Sequence, residues 1–265
     1  MEVNYRELAR SMRAYKRLGQ NFLVEEPVAS AEAEYARGRV AVEIGPGLGI
    51  LTRALSRMAK RVIAVEKDTR LYHLLSNSID AKNVELVAGD FFAVDESTFK
   101  GAEIMVSNVP YNLSSKTLSW LMRRRLEAVL CLQREFVEHM LAAPGTRKYS
   151  KLSVFSALQF RATQIMEVPR SDFYPVPKVD SVLVHLRATG PAIDSKVLGI
   201  LGLIMEHKKK LLRNAIADSA KGLSMSKEHA STLAAAVSGP ERRVFKMKPE
   251  ELLAAAEEIS GMLTA

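Results

Sequence analysis

The sequence predicts a doubly wound α/β domain with a mostly parallel sheet, followed by a small all-helical C-terminal domain. Between residues 40 and 140, short apolar runs alternate with helix-like segments of about ten residues, a pattern typical of βαβ units. After residue 190 only helical periodicity is found. Of the 265 residues, 48% are hydrophobic and 26% are charged, which indicates a globular protein with a sizeable core.

Five near-continuous apolar runs predict the parallel strands. Such runs are typical of strands that are covered by helices on both faces of a sheet. Right-handed crossovers between them produce the doubly wound layer. The predicted strands are residues 40–45, 61–66, 84–90, 103–108 and 128–133.

Two further strand-like runs, residues 162–168 and 181–188, are separated by a turn-rich segment with three prolines and no helix. A connection of that kind favours an antiparallel hairpin at one edge of the sheet. The segment 188–194 has the composition of a linker. We therefore divide the chain into an α/β domain, residues 1–189, and a helical domain, residues 190–265.

The first predicted strand ends in the glycine turn EIGPGLG, which contains Gly45 and Gly47. Such a turn between strand and helix brings backbone N–H groups close to a ligand, although a purely structural turn is the alternative. The spacing matches neither the G-x-G-x-x-G pattern of dinucleotide-binding proteins nor the Walker pattern. Glu43 precedes the turn, where a carboxylate could orient the loop or receive the ammonium group of a ligand.

Two acids end the next two strands. Glu66 is placed to accept both hydroxyls of a ribose, and Asp90, beside Phe91, could accept an exocyclic adenine amine. Each acid alone could be an ordinary helix N-cap. Together with the glycine turn they predict a pocket for a nucleoside that carries an amino-acid tail. S-adenosylmethionine fits that pocket better than NAD, because no cradle for a pyrophosphate is present.

The fourth strand ends in NVPY, which contains an amide, a proline and an aromatic ring but no acid, base or nucleophile. The side-chain oxygen of Asn108 and the carbonyl of Val109 or Pro110 could accept both N–H groups of an amine on an aromatic base. Tyr111 offers a face on which that base could stack. These groups favour a direct displacement in which positioning and electrostatics determine the rate.

Four stretches in this order resemble the family of adenine N6,N6-dimethyltransferases that modify small-subunit ribosomal RNA, in an archaeal-like form. They are LGQNFL (18–23), EIGPGLGILT (43–52), NVPYNLSS (108–115) and FYPVPKVDS (173–181). The resemblance covers essentially the whole chain. It implies a Rossmann-like class I methyltransferase fold that uses S-adenosylmethionine.

The resemblance also implies roles for individual residues. An adenine extruded from its helix would lie between Tyr111 and Phe173, and Asn108 would bind the target amine with Pro110 beside it. No metal is implied. The implied cofactor-binding residues are Gln20, Asn21, Leu23, Glu43, Gly45, Gly47, Glu66, Asp90 and Asn108.

The implied substrate is a pair of adjacent adenosines near the 3′ end of small-subunit rRNA, within a pre-ribosomal particle. A net charge of +8 favours such a polyanionic partner. No apolar run of 18 residues is present, so we expect no membrane span. We expect a cytoplasmic monomer.

Three alternatives stay open at this point. The related methyltransferases that modify large-subunit rRNA share the cofactor motifs. A ribosome-assembly or transcription factor could keep the fold and act by binding RNA, although the intact NVPY and EIGPGLG favour catalysis. A DNA adenine methyltransferase is less favoured, because those enzymes usually carry two consecutive prolines where this chain has Val109 and Pro110.

Overall fold

The computed structural model describes residues 3–263, which form two compact units. The first unit contains the described residues up to Val137 together with Ala162–Ala188. The second contains Glu138–Arg161 and the described residues from Thr189 onward. The predicted division at residues 189 and 190 stays a prediction; it differs from this grouping chiefly in the segment 138–161.

The strands between residues 22 and 188 form two sheets. The described strands are β1 (Phe22–Leu23), β2 (Val40–Ile44), β3 (Arg61–Glu66), β4 (Val84–Ala88), β5 (Ile104–Asn108), β6 (Glu127–Gln133), β7 (Phe160–Val168), β8 (Phe173–Tyr174) and β9 (Ser181–Ala188). Seven of them form one sheet in the order β4-β3-β2-β5-β6-β9-β7. The short strands β1 and β8 pair antiparallel in a separate sheet.

The pairing confirms a mostly parallel sheet that ends in an antiparallel hairpin. Parallel ladders join β2 to β3, β3 to β4, β2 to β5 and β5 to β6. Strand β9 runs antiparallel to β6, and β7 lies beside β9 at the sheet edge. The strand order reverses between β2 and β5, and ligands bind outside the carboxyl ends of the strands at such a reversal.

Helices cover this sheet because their apolar residues recur at helical spacing. In α3 and α4, for example, Leu51 and Leu55, and Leu71 and Leu75, are buried four residues apart. The helix at Arg134–Met140 begins in the first unit and ends in the second. The helices of this part of the chain are α1 (Tyr5–Ser11), α2 (Glu26–Ala33), α3 (Ile50–Met58), α4 (Thr69–Ser78), α5 (Ser114–Arg124) and α6 (Arg134–Met140).

The second unit is built from helices around its own core. They are α7 (Lys151–Gln159), α8 (Ser195–Glu206), α9 (Leu212–Asp218), α10 (Lys227–Ala236) and α11 (Pro249–Met262). Leu201, Leu252 and Ile259 are fully buried there. This confirms the helical character predicted for the end of the chain. Within residues 3–263, no helix is both long and apolar enough to span a lipid bilayer.

One buried hydrogen bond within the second unit offers a test of this core. Tyr149 is 1% exposed, and its hydroxyl donates to the Met247 carbonyl over 2.8 Å. We expect Tyr149→Phe to lower the free energy of unfolding by about 1–2 kcal/mol, because it leaves a buried carbonyl without its donor. Urea unfolding measures this loss. Tyr174→Phe, at a residue that is 36% exposed, is the control, and an equal effect of both changes would contradict the prediction.

Candidate functional site

A cavity opens in the first unit at the carboxyl ends of β2, β3, β4 and β5. It is lined by residues from each of these strand ends, from the segment before β1 and from β8. All of the predicted site residues except Leu23 and Glu43 line it. The predicted residues in its wall are Gln20, Asn21, Gly45, Gly47, Glu66, Asp90, Asn108, Pro110, Tyr111 and Phe173.

The glycine turn lets the backbone approach two other walls of the cavity. Gly45 and Gly47 have φ angles of +65° and +60°, a region that favours glycine. A Cβ atom at Gly45 would lie 3.3 Å from Pro110 Cγ, and one at Gly47 would lie 3.1 Å from Phe22 Cδ1. The absence of side chains therefore keeps the turn close to Pro110 and Phe22.

Glu66 holds the glycine turn while lining the cavity. It is 5% exposed; its Oε2 accepts the Gly47 N–H over 3.1 Å, and its Oε1 accepts the Asp68 N–H over 2.8 Å. Burial raises the pKa of Glu66, and the hydrogen bonds from Asp68 and Gly47 act in the opposite direction. Each carboxylate oxygen has more than one lone pair, so Glu66 can accept further donors from a ligand.

Asp90 presents an ionised carboxylate to the same cavity. Its Oδ2 accepts from Lys67 Nζ over 2.9 Å, and its Oδ1 accepts the Phe92 N–H over 3.0 Å. The hydrogen bond from Lys67 is the largest cause that lowers the pKa of Asp90. The neighbouring Phe91 is buried, lines the cavity and packs edge-on against Trp120, with ring centroids 5.0 Å apart.

The end of β5 supplies hydrogen-bond acceptors. Asn108 Nδ2 donates to Glu32 Oε2 over 3.1 Å. Asn108 Oδ1 is buried and has no hydrogen-bond partner within residues 3–263. The Pro110 carbonyl accepts the Leu113 N–H over 2.7 Å, which leaves it one further lone pair. The end of β5 therefore carries two oxygen atoms, Asn108 Oδ1 and the Pro110 carbonyl oxygen, that each have a lone pair left to accept an N–H group.

The two predicted stacking residues differ in exposure. Tyr111 is half-buried, and its hydroxyl is hydrogen-bonded to Ser181 Oγ over 2.9 Å. Burial raises the pKa of Tyr111 to about 12, so the hydroxyl stays neutral near neutral pH. Phe173 is only 2% exposed and is paired with Leu23 in the β1–β8 ladder. Ser181 belongs to the FYPVPKVDS stretch, yet the sequence alone suggested no role for it.

The segment before β1 is tied to the start of α4 by polar contacts. Gln20 Oε1 accepts the Tyr15 N–H over 2.7 Å, and Gln20 Nε2 donates to Asp68 Oδ2 over 2.9 Å. Arg70 Nη2 donates to the same Asp68 oxygen over 2.6 Å, and its guanidinium lies 3.8 Å from the centroid of the Tyr15 ring. The sequence alone suggested no role for Asp68 and Arg70, because their contacts are with a segment that is at least 48 residues away in the chain.

Leu23 and Glu43 lie behind the wall of the cavity. Leu23 is 3% exposed, and its neighbour Phe22 lines the cavity instead, since successive strand residues point to opposite faces. Glu43 is 2% exposed and accepts from Thr52 Oγ1 over 2.8 Å. Burial raises the pKa of Glu43 to about 8. Of the two alternatives for Glu43, this geometry favours orientation of the loop.

The chain is similar in sequence to known proteins over most of its length. The family model described as ribosomal RNA adenine dimethylase matches residues 11–251. A probable ribosomal RNA small subunit methyltransferase A from Thermococcus kodakarensis is 38% identical over 245 residues, covering 89% of this chain and 86% of that protein. The protein of the same description from Methanopyrus kandleri is 36% identical over 252 residues, covering 91% and 86%.

Two solved structures are similar over most of the chain. A dimethyladenosine transferase from Plasmodium falciparum has a TM-score of 0.76 and 25% identity, covering 91% of this chain and 98% of that one. The 23S rRNA methyltransferase ErmE has a TM-score of 0.62 and 26% identity, covering 91% and 100%. Both comparisons confirm the predicted fold class.

The buried Glu43 gives the first unit a pH-dependent stability. Its pKa rises from an ordinary 4.5 to about 8, so between these values the folded protein keeps a proton that the unfolded chain has released. Rising pH therefore favours unfolding in this window. Glutamine imitates the neutral acid and does not titrate. We expect the stability of Glu43→Gln, relative to the parent protein, to increase from about pH 5 to about pH 8.

Chemical denaturation at the two pH values measures this difference. Glu32 and Glu66 also have raised pKa values, and the Glu43 charge contributes to the rise at Glu32, so its removal changes the stability difference in the same direction. Glu34→Gln, at a side chain that is 51% exposed, is the control. A difference between Glu43→Gln and the parent protein that does not change with pH would contradict the buried, protonated state of Glu43.

Proposed function

Because this chain belongs to the ribosomal RNA adenine dimethylase family, we propose that it dimethylates the N6 amines of two adjacent adenosines near the 3′ end of small-subunit rRNA. The methyl donor is S-adenosylmethionine. The family resemblance seen in the sequence is confirmed by the match over residues 11–251. The observation that best supports the reaction is the presence of Asn108 in the cavity wall, since its buried Oδ1 has no hydrogen-bond partner among the described residues.

The residues of the cavity fit S-adenosylmethionine. Glu66 and Asp90 supply carboxylate acceptors at neighbouring strand ends, suited to ribose hydroxyls and to an adenine amine, respectively. The turn at Gly45 and Gly47 leaves space that a Cβ atom would fill, next to Phe22 and Pro110, and suits the methionine part. When bound, the cofactor supplies an electrophilic methyl group on a positively charged sulfur.

The protein acts on the target amine by orienting it. The lone pair of an adenine N6 amine is delocalised into the ring, which makes it a poor nucleophile. Asn108 Oδ1 and the remaining lone pair of the Pro110 carbonyl would accept its two N–H groups and favour a pyramidal nitrogen. No covalent bond to the protein is required, so positioning and electrostatics carry the rate enhancement.

The base must leave its helix before the amine can reach this corner. The ring of the half-buried Tyr111 is more accessible to a base than the ring of Phe173. The hydrogen bond between the Tyr111 hydroxyl and Ser181 Oγ holds the Tyr111 ring in place. Stacking contributes roughly 1–3 kcal/mol per base, which offsets part of the stacking lost from the helix. With a pKa near 12, the Tyr111 hydroxyl is not suited to act as a base, in agreement with a stacking role.

We further propose that a pre-ribosomal small-subunit particle is the substrate and that the protein acts as a cytoplasmic monomer. The small-subunit names of the archaeal relatives and the net charge of +8 support an rRNA partner of this kind. The similarity to ErmE, a 23S rRNA methyltransferase, favours large-subunit rRNA as the second candidate substrate. A role limited to RNA binding would leave the polar lining of the cavity unexplained.

Mass spectrometry of rRNA separates these possibilities. The purified protein is incubated with methyl-labelled S-adenosylmethionine and either small or large ribosomal subunits that lack the modification. We expect labelled N6,N6-dimethyladenosine at two adjacent positions near the 3′ end of small-subunit rRNA. Label confined to large subunits would establish the second candidate instead. Cofactor binding without transfer to either subunit would indicate a factor that acts by binding.

Asn108→Ala tests the proposed acceptor of the target amine. We expect kcat to fall by roughly 100- to 1000-fold, because a preoriented transition-state contact is lost. The Kd for S-adenosylmethionine, measured by calorimetry, should be nearly unchanged, because Glu66, Asp90 and the glycine turn keep the other implied contacts to the cofactor. Asn77→Ala, at an exposed position of α4, is the control and should keep parental activity. Parental kcat in Asn108→Ala would refute the assignment.

Glu66→Ala tests the proposed ribose contact. We expect the Kd for S-adenosylmethionine to rise by roughly 10- to 100-fold, because hydrogen bonds to a carboxylate are lost from the ligand and from the Gly47 N–H. Glu85→Ala removes a carboxylate of β4 that is 46% exposed, and it should leave the Kd unchanged. An unaltered Kd in Glu66→Ala would exclude this residue from the cofactor site.

A further inference from the structure

Glu32 is a carboxyl group in a position that suits an apolar side chain. The buried residues of α2 are Val28, Ala29, Glu32 and Ala33, which form a single helix face. Glu32 is 0% exposed on that face. Burial of a carboxyl group is unfavourable unless hydrogen bonds compensate for the lost hydration. The presence of this side chain therefore calls for a specific contact.

That contact is with the last residue of β5. Helix α2 packs against β5, and Glu32 Oε2 accepts from Asn108 Nδ2 over 3.1 Å. Glu32 Oε1 has no hydrogen-bond partner within residues 3–263. Glu32 does not line the cavity, whereas Asn108 does. The carboxyl group thus supports a cavity residue from behind.

The contact corresponds to one of the two orientations of the Asn108 amide, the one that turns Nδ2 towards Glu32. With Nδ2 bonded to Glu32, the Oδ1 atom is the end without a partner among the described residues. A half-turn of the amide would exchange the two ends and present N–H donors where the proposed reaction needs an acceptor. An amine that is to be methylated cannot donate its N–H groups to another donor.

We propose that Glu32 is a positioning residue for methyl transfer, holding the Asn108 amide by its Nδ2 so that Oδ1 can accept an N–H of the target amine. This inference rests on the proposed function. Glu32 acts only through Asn108 and contacts neither the base nor the cofactor.

The protonation state of Glu32 is compatible with this role. Burial and the nearby Glu43 raise the pKa of Glu32 well above its usual range, which favours the protonated form of the side chain. In either protonation state the carboxyl group keeps an oxygen that accepts from Asn108 Nδ2. Glutamine has the same shape and the same acceptor, which makes Glu32→Gln the conservative variant.

Kinetics of paired variants test the proposal. We expect Glu32→Leu, which lacks an acceptor, to lower kcat by roughly 10- to 100-fold, since a misplaced catalytic group costs about that much. The KM for ribosomal particles and the Kd for S-adenosylmethionine should change little. Glu32→Gln should restore most of kcat, and Glu26→Leu, at an exposed site on α2, should keep it. Parental kcat in Glu32→Leu, or equal loss in Glu32→Gln, would overturn the proposal.

If Glu32→Leu does not fold, a spectroscopic measurement on the parental protein tests the hydrogen bond between Glu32 and Asn108 Nδ2. The side-chain amide resonances of Asn108 are identified in ¹⁵N spectra by their absence in Asn108→Ala. We expect one Nδ2 proton of the parental protein to exchange slowly with solvent and to shift downfield, as a hydrogen-bonded proton does. Two freely exchanging protons would overturn the proposal. This measurement needs no methyl transfer, so a failure of the proposed function, seen as unmodified rRNA, is distinguished from a failure of the Glu32 contact.

Discussion

The site depends on the separation of β2 and β5 at their carboxyl ends. Their backbone ladder joins Ala41 to Ile104 and Val42 to Met105. Beyond these pairs, the Ser107 hydroxyl donates to the Ile44 carbonyl over 2.8 Å. This buried side-chain bond satisfies a carbonyl that would otherwise lose its hydration without compensation. The two strands can therefore part, and the glycine turn and the NVPY segment face each other across the resulting cavity.

Three buried carboxyl groups support the walls of this cavity from different elements. Glu32 reaches Asn108, Glu43 reaches Thr52 at the start of α3, and Glu66 reaches the Gly47 N–H. Burial raises the pKa of all three, and neighbouring carboxyl charges raise those of Glu32 and Glu43 further. Such groups lower stability where apolar residues would increase it. A binding site needs polar atoms in fixed orientations, and this need is consistent with the loss of stability that the buried carboxyl groups cause.

Much of the site could be predicted because the carboxyl ends of parallel strands meet at one edge of a sheet. Glu66, Asp90 and Asn108 each follow an apolar run, so their convergence in one cavity follows from the alternation of strands and helices. The two-residue strand β1 could not be predicted in this way. Two residues are too few to show which side chain faces the cavity; the family resemblance implies Leu23 as a cofactor-binding residue, whereas Phe22 lines the wall.

The sequence by itself determined the sheet, its edge hairpin, the helical end of the chain and the family, because these depend on periodicity and on contiguous motifs. Only the tertiary structure decided which polar groups pair across long separations. Glu32 is hydrogen-bonded to Asn108, 76 residues away in the chain, and Tyr111 is hydrogen-bonded to Ser181, 70 residues away. No local pattern encodes such pairs. They exist because the packing of α2 on β5, and the return of the chain after β8, bring particular atoms within hydrogen-bonding distance.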